Sequence, residues 1–377
     1  MYTLIPPFCP NKHCVHHRIE PGQRYVDYIS WGSYQTATFG SVPRYRCTAC
    51  GKTFSTQTFR VDYFAKRNVD YEGLAERLCS CSSLRVIGRA LQLSSDSVSN
   101  RIGRAACQVL AAESRLTESR RHLDEALAAD GFESYCVSQY FPNNIHLLVG
   151  SESQHVYAVD HATLRRKGRM TKHQKRRRSQ LDVRFRPQPE ALRQSFARIA
   201  DESLRVLSDL AHSSLTLWTD EKPEYSLALR SSVCVRILMD QGRILHKTIS
   251  SRAARTRDNP LFPVNYLDRE LRKDLHEHVR ETVCFGRNVN RQMERLTLYL
   301  FMHNYCKPYR IPWDRRTHAE VAGYDPRCIA EELWRIWERR SFFTLTELTP
   351  SMEATWLRQR MTPLKEGEEY LPAFVAA

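Results

Sequence analysis

No run in this chain of 377 residues approaches the roughly 18 consecutive apolar residues that a membrane-spanning helix needs. The opening residues, Met1-Tyr2-Thr3-Leu4-Ile5-Pro6-Pro7, lack the charged and apolar regions of a secretory signal. The expectation is a protein that meets no membrane and stays where it is made. Internal repeats are lacking, and so is low-complexity text outside one basic stretch. Acids are in deficit: 42 Asp and Glu against 57 Lys and Arg leave a net charge of +15. The natural partner of that excess is nucleic acid. Hydrophobic residues at 42% and aromatics at 10% suffice for real cores, which excludes wholesale disorder. Twelve cysteines would permit disulfides. Several, such as Cys107, Cys234 and Cys306, stand singly in helix-like text, which reads as reduced thiols in a cytosolic chain.

Composition divides the chain into four segments, a multidomain arrangement. Residues 1–66 hold two close cysteine pairs with strand-like text between them (Tyr25 to Ile29, Tyr34 to Phe39). Residues 67–123 are helical in pattern. Residues 124–310 read as α+β: a strand ending near Asp130, strands at Ile145 to Val149 and Val156 to Val159, and a helix from about Pro189 to Ala211. Strands at Leu215 to Trp218 and Ile244 to Ile249 and a long helical pattern from Asn265 to Tyr305 complete that segment. Residues 311–377 form an extension whose tryptophans are expected in a core.

Cys9 and Cys14 form a C-x4-C pair and Cys47 and Cys50 a C-x2-C knuckle, with 32 residues between the pairs. Two thiolates on a tight turn reach one tetrahedral zinc, and Gly51 frees the backbone for that turn. His13, His16 or His17 are alternatives to Cys14, and unligated thiols are the bland reading. Ser83 through Ile102 reads as helix, tight turn, helix, with Ser94 or Ser95 capping a second helix. Its exposed face would offer Ser97, Asn100, Arg101 and Arg104 to phosphates and base edges.

Arg165, Arg166, Lys167, Arg169, Lys172, Lys175, Arg176, Arg177 and Arg178 crowd one stretch that contains no acid. A loop so charged is either simply solvated or laid along a phosphate backbone. Asp130 and Asp220 each close an apolar strand. If those strands are neighbours, the carboxylates converge into a hard-oxygen site suited to Mg²⁺, or to Mn²⁺ in its place.

The order of cysteine pairs, helix-turn-helix, Asp130-Gly131-Phe132, basic stretch, Trp218-Thr219-Asp220 and long helix resembles insertion-sequence transposases of the DDE, ribonuclease H-like superfamily. The likeness spans roughly residues 9 to 310. It implies an N-terminal zinc ribbon with structural Zn²⁺, a helix-turn-helix and a ribonuclease H-like mixed sheet, followed by a C-terminal helical extension. It also implies catalytic Mg²⁺ and double-stranded DNA, both element ends and target, as substrate. A homo-oligomer on that DNA and a bacterial cytoplasmic, nucleoid-associated location are implied with it.

Such transposases often carry a third acid in an N-x-x-E-R context, and Asn265 to Arg269 reads N-x-x-D-R, which points to Asp268. Registering Arg272 and the stretch from Arg280 to Phe285 on a compact relative would instead put Asn265 at that position. Glu294 and Glu270 are further candidates. Two rivals stay open: a non-catalytic DNA-binding regulator, and a ribonuclease H-like nuclease without transfer activity.

Overall fold

The computed structural model describes residues 5–120, 125–208, 214–279, 282–366, 369–371 and 375. The first segment is a small antiparallel sheet, β1 (Tyr28–Thr36), β2 (Gly40–Cys47) and β3 (Thr53–Ser55). The strands lie later than the text from Tyr25 suggests, because Tyr25 turns inward to the cysteines and Phe54.

Three helices follow, α1 (Tyr71–Leu78), α2 (Leu84–Leu91) and α3 (Ser95–Thr117). Ser83 and Ser94 cap α2 and α3 through their side-chain oxygens, each supplying an acceptor to a backbone N–H that the helix leaves without a partner. The tight turn between α2 and α3 requires Gly88, since a Cβ there would meet the Leu93 carbonyl oxygen at 2.5 Å. The helix-turn-helix geometry is thus built, but α3 is buried from Arg101 through Ala112. Most of it is the central strut of the molecule.

The largest sheet has five strands, β4 (Leu127–Cys136), β5 (Ser138–Gly150), β6 (Val156–Thr163), β7 (Leu215–Asp220) and β8 (Ile244–Ile249), in the order β6-β5-β4-β7-β8. The first three pair antiparallel as a meander; β7 and β8 are parallel to β4 and to each other. Between β6 and β7 lie α4 (Lys172–Arg184) and α5 (Ala191–Ser208), and between β7 and β8 lie α6 (Pro223–Ser231) and α7 (Val233–Asp240). Residues 209–213, where the sequence pattern extends α5, lie outside the described residues.

The long helical pattern after Asn265 is two helices, α8 (Phe262–Asp274) and α9 (Val289–Tyr305). Of the stretch between them, Arg280 and Glu281 lie outside the described residues.

The extension holds a short hairpin, β9 (Pro308–Arg310) and β10 (Asp314–Thr317), then α10 (His318–Val321), α11 (Pro326–Glu338) and α12 (Pro350–Trp356). It is an integral part of the fold. One hydrophobic core runs from Tyr71 and Leu74 of α1 through Ile102 and Val109 of α3 to Phe132, Leu147, Met293 and Ile336. Phe342 closes the core of the cysteine module. Two buried ion pairs tie the tail down, Arg358 to Glu294 at 2.6 Å and Arg360 to Asp160 at 3.0 Å.

The tail tryptophans divide. Trp356 is buried and Trp337 packs against the core, whereas Trp313 and Trp334 are 88% and 62% exposed. The expectation of core positions fails for those two because they face solvent from the hairpin and from the outer side of α11. Among the described residues, no helix is long and apolar enough to cross a membrane.

Candidate functional site

Cys9, Cys14, Cys47 and Cys50 converge, their sulfurs all within 4.8 Å of one another. Cys9 lies 3.6 Å from Cys50, and Cys14 lies 3.8 Å from Cys47. Thiolates about 2.3 Å from a tetrahedral zinc stand about 3.8 Å apart, so the cluster has the dimensions of a Cys₄ zinc centre. Gly51 takes the left-handed conformation, φ +69°, that the knuckle requires.

The histidine alternatives point elsewhere. His17 bonds the Cys9 carbonyl and Thr344 Oγ1, His16 lies 3.5 Å from Asp27, and His13 is exposed. His17 thereby fastens the module to the C-terminal tail.

Asp130 and Asp220 are brought together by the parallel pairing of β4 with β7. The register runs Leu127 to Leu217 and Ala128 to Trp218 and then stops. Asp130 does not end its strand as expected. β4 continues to Cys136 on its partner β5, and Asp130 stands where β4 parts from β7. Asp220 is the last residue of β7.

Between the two carboxylates sits the Lys222 ammonium, 3.0 Å from Asp130 Oδ1 and 3.2 Å from Asp220 Oδ2. The same Asp130 oxygen accepts from the Tyr225 hydroxyl at 3.0 Å and from the Gly131 N–H at 2.7 Å. Asp220 Oδ1 accepts from the Lys222 N–H, which starts α6. Burial by itself would depress the Lys222 pKa; the two carboxylates outweigh it and hold the ammonium above its usual range. Tyr225 is fixed by stacking on Phe196, ring centroids 4.0 Å apart. Lys222 and Tyr225 escape the sequence reading, and their only signal is spacing, two and five residues past Asp220 on the first turn of a helix.

Asp268 lies on α8, which packs on β4 and β5, near enough to Asp130 to feel its charge. Its Oδ1 is shielded from solvent and has no hydrogen-bond partner. Burial, with the negative charge of Asp130 added, pushes its pKa up to about 7. Among the described residues, only the four cysteines bring three or more potential ligand atoms within 4.8 Å of one another; Asp268 adds an orphaned, buried carboxylate oxygen near Asp130, a hard donor of the kind a divalent cation takes.

The rival acids sit elsewhere. Glu270 is two residues on, roughly 200° around the helix, and is held by Lys273 at 2.8 Å and Lys307 at 2.6 Å. These lysines keep its carboxyl below the usual range despite burial. Glu294 is locked between Arg358 and Arg291 in the packing of α9. Asn265 donates to the Leu261 carbonyl of its own helix.

The predicted DNA-contacting groups divide as well. Asn100 is exposed and accepts from Arg291, and Ser97 is half-buried. Arg101 and Arg104 are not on an exposed face as expected. Arg101 donates to Tyr71 Oη and the Arg67 carbonyl, and Arg104 to the Val61 carbonyl. Both serve packing because α3 turns that side into the molecule.

The basic stretch is not a loop throughout. From Lys172 it is helix α4, anchored by Leu181 against Tyr140 and Phe141. Arg165 pairs with Asp182 at 2.6 Å, Arg166 donates to Gln139, and Arg178 donates to the Arg166 carbonyl. Lys167, Arg169, Lys172, Lys175, Arg176 and Arg177 remain exposed.

No family model and no curated protein matches the chain. Among solved structures, it is similar to a chain in the cryoEM structure of the simian T-cell lymphotropic virus intasome in complex with PP2A regulatory subunit B56 gamma. The identity is 12%, over 67% of this chain and 73% of that one, with a TM-score of 0.29. A likeness at that score carries no argument about fold or function, and the reading rests on the site itself.

Two outcomes follow from this geometry. Elemental analysis of the purified protein should find one equivalent of zinc, lost together with the fold of the N-terminal module when Cys47 and Cys50 become Ser. A metal-free protein with that module intact would contradict the zinc assignment.

Asp268 keeps its proton in the folded state up to about pH 7, against about 3.9 when unfolded. Its contribution to stability is therefore lost as pH rises between those values. With zinc bound and no other divalent cation added, the wild type should lose more thermal stability than Asp268→Asn between about pH 5 and about pH 8. Equal losses would show that the carboxyl is not buried beside Asp130.

Proposed function

We propose that the chain is a metal-dependent DNA transposase, cutting at the ends of an insertion element and joining them to target DNA. The observation that carries this reading is the meeting of Asp130 and Asp220 on one cation, the Lys222 ammonium, with the buried Asp268 carboxyl, whose Oδ1 has no hydrogen-bond partner, near Asp130. A sheet whose first and fourth strands lie side by side, as in ribonuclease H-like sheets, supports that architecture for the catalytic domain.

Asp130, Asp220 and Asp268 would hold Mg²⁺ or Mn²⁺. When bound, such an ion stabilises charge on the phosphodiester oxygens and lowers the pKa of an attacking water or hydroxyl. The reaction is hydrolysis of a phosphodiester at the element end, then attack of the freed 3′-hydroxyl on a target phosphodiester. The chain's own groups bind and orient. Tyr225 donates to Asp130 and fixes its carboxylate, and Lys222 balances the two acids while no other cation is there.

Exposed Lys167, Arg169, Lys172, Lys175, Arg176 and Arg177 of the basic stretch would lie on phosphates, which sets position but reads no bases. Ser97 and Asn100, at the accessible start of α3, would be the groups that reach base edges. Assembly as a homo-oligomer on DNA and a cytoplasmic, nucleoid-associated location belong to the same proposal.

One observation favours a non-catalytic DNA-binding regulator: Lys222 already satisfies both strand acids as a structural ion pair. The two readings part in a cleavage and strand-transfer assay on DNA carrying the sequences that flank the gene. Asp130→Asn, Asp220→Asn and Asp268→Asn should each lower the rate by about 10³-fold, the equivalent of several kcal/mol of charge stabilisation, with DNA binding retained. Glu270→Gln and Glu294→Gln that remain folded should keep activity. An active Asp268→Asn with a dead Glu294→Gln would reassign the third acid. Unaffected Asp130→Asn and Asp220→Asn would favour the regulator.

A further inference from the structure

The cysteine module carries a feature that the proposed chemistry does not use. Between the β1–β2 hairpin and the chain at 63–66 lies a groove of about 540 Å³, within the roughly 300–1,000 Å³ range of small-ligand sites. Its walls carry two cations, Arg44 and Lys66, many hydroxyls and no acid. The Thr38 hydroxyl donates to the Lys66 carbonyl at 2.7 Å and fixes that wall to the hairpin.

The aromatic groups here are displayed. Phe64 is 69% exposed, and its backbone sits at φ +60°, a left-handed conformation that a bulky side chain disfavours. One face of its ring stacks on Tyr63, centroids 4.1 Å apart at 29°, and Tyr63 is in turn backed by the Arg340 guanidinium at 4.2 Å. Among the described residues, Tyr63 is the one ring stacked on Phe64. Tyr34, from the hairpin, is 39% exposed on the lining of the same groove.

An aromatic face held out on a braced stack, between cations and without an acid, suits a flat, electron-rich group attached to an anion. We propose that this groove takes an unstacked base of single-stranded DNA, which stacks on Phe64 while Arg44 and Lys66 meet the flanking phosphates. Duplex bases are already stacked on one another and offer no face; bases in a single strand do. The inference goes beyond the strand-transfer reading and does not rest on it, because the groove shares no residue with the carboxylate site.

The test uses the full-length zinc-bound protein with no magnesium or manganese added, so that its outcome is separate from that of the catalytic reading. The probe is a fluorescently labelled oligothymidylate, compared with a blunt duplex. Phe64→Ala should weaken single-strand binding about tenfold or more, the usual effect of removing one stacking platform, and leave duplex binding unchanged. Phe64→Trp should retain affinity. Lys66→Gln should lower the salt slope by about 0.7.

Oligothymidylate carrying 5-iodouracil should photocrosslink to Tyr34, Tyr63 or Phe64 in the unaltered protein, a readout that needs no variant. Unchanged affinity in Phe64→Ala, or crosslinks only outside the groove, would overturn the proposal. Equal competition by a poly-glutamate peptide would overturn it too, since charge alone would then explain the attraction.

Discussion

Acids held on two neighbouring central strands, β4 and β7, are the constraint on which the candidate site depends. Asp130 and Asp220 are placed by the pairing of β4 with β7, and α8, which packs against β4 and β5, carries Asp268 within reach of the charge of Asp130. A single ammonium, Lys222, balances two of the three. The third responds as a buried carboxyl next to a negative neighbour must, by keeping its proton. Arg272, Arg255 and Lys222 draw its pKa down but do not offset its burial.

The C-terminal tail is set deep in the structure. Arg358 neutralises Glu294 inside the α3 and α9 packing, Arg360 neutralises Asp160 on β6, and Phe342 completes the core of the cysteine module. His17 and Thr344 join the two ends of the chain. The four compositional segments share cores across their boundaries, so α3 works as a strut between the cysteine module and the sheet. Only the start of that helix is left to contact a partner.

The parts of this arrangement that local spacing determines were legible in the sequence. Paired cysteines around a Gly turn carry their geometry within a few residues, and so does Asp220 at the end of its apolar strand, whereas Asp130 stands inside β4. Ser94, ahead of helical text, marked the cap of α3. What spacing does not carry is which face of an element is covered. Arg101 and Arg104 have the periodicity of an exposed basic face, yet they turn inward because hydroxyl and carbonyl acceptors from Tyr71, Arg67 and Val61 meet them there. Trp313 and Trp334 erred in the opposite direction. The basic stretch concealed helix α4, since nine cations without an acid read as solvated chain, while a single Leu181 and the Arg165 to Asp182 pair suffice to anchor it. Lys222 had no motif around it, and its role exists only once two strands are side by side.

The central proposal is that Asp130, Asp220 and Asp268 would together hold one divalent metal ion. Iron-directed cleavage tests it most directly: Fe²⁺ taken up in place of Mg²⁺, with ascorbate and peroxide, cuts the backbone near the bound ion. The account predicts cuts beside Asp130, Asp220 and Asp268 together, suppressed by excess Mg²⁺ and abolished in Asp220→Asn. Cuts confined to other acidic surfaces, or unaltered in Asp220→Asn, would contradict it.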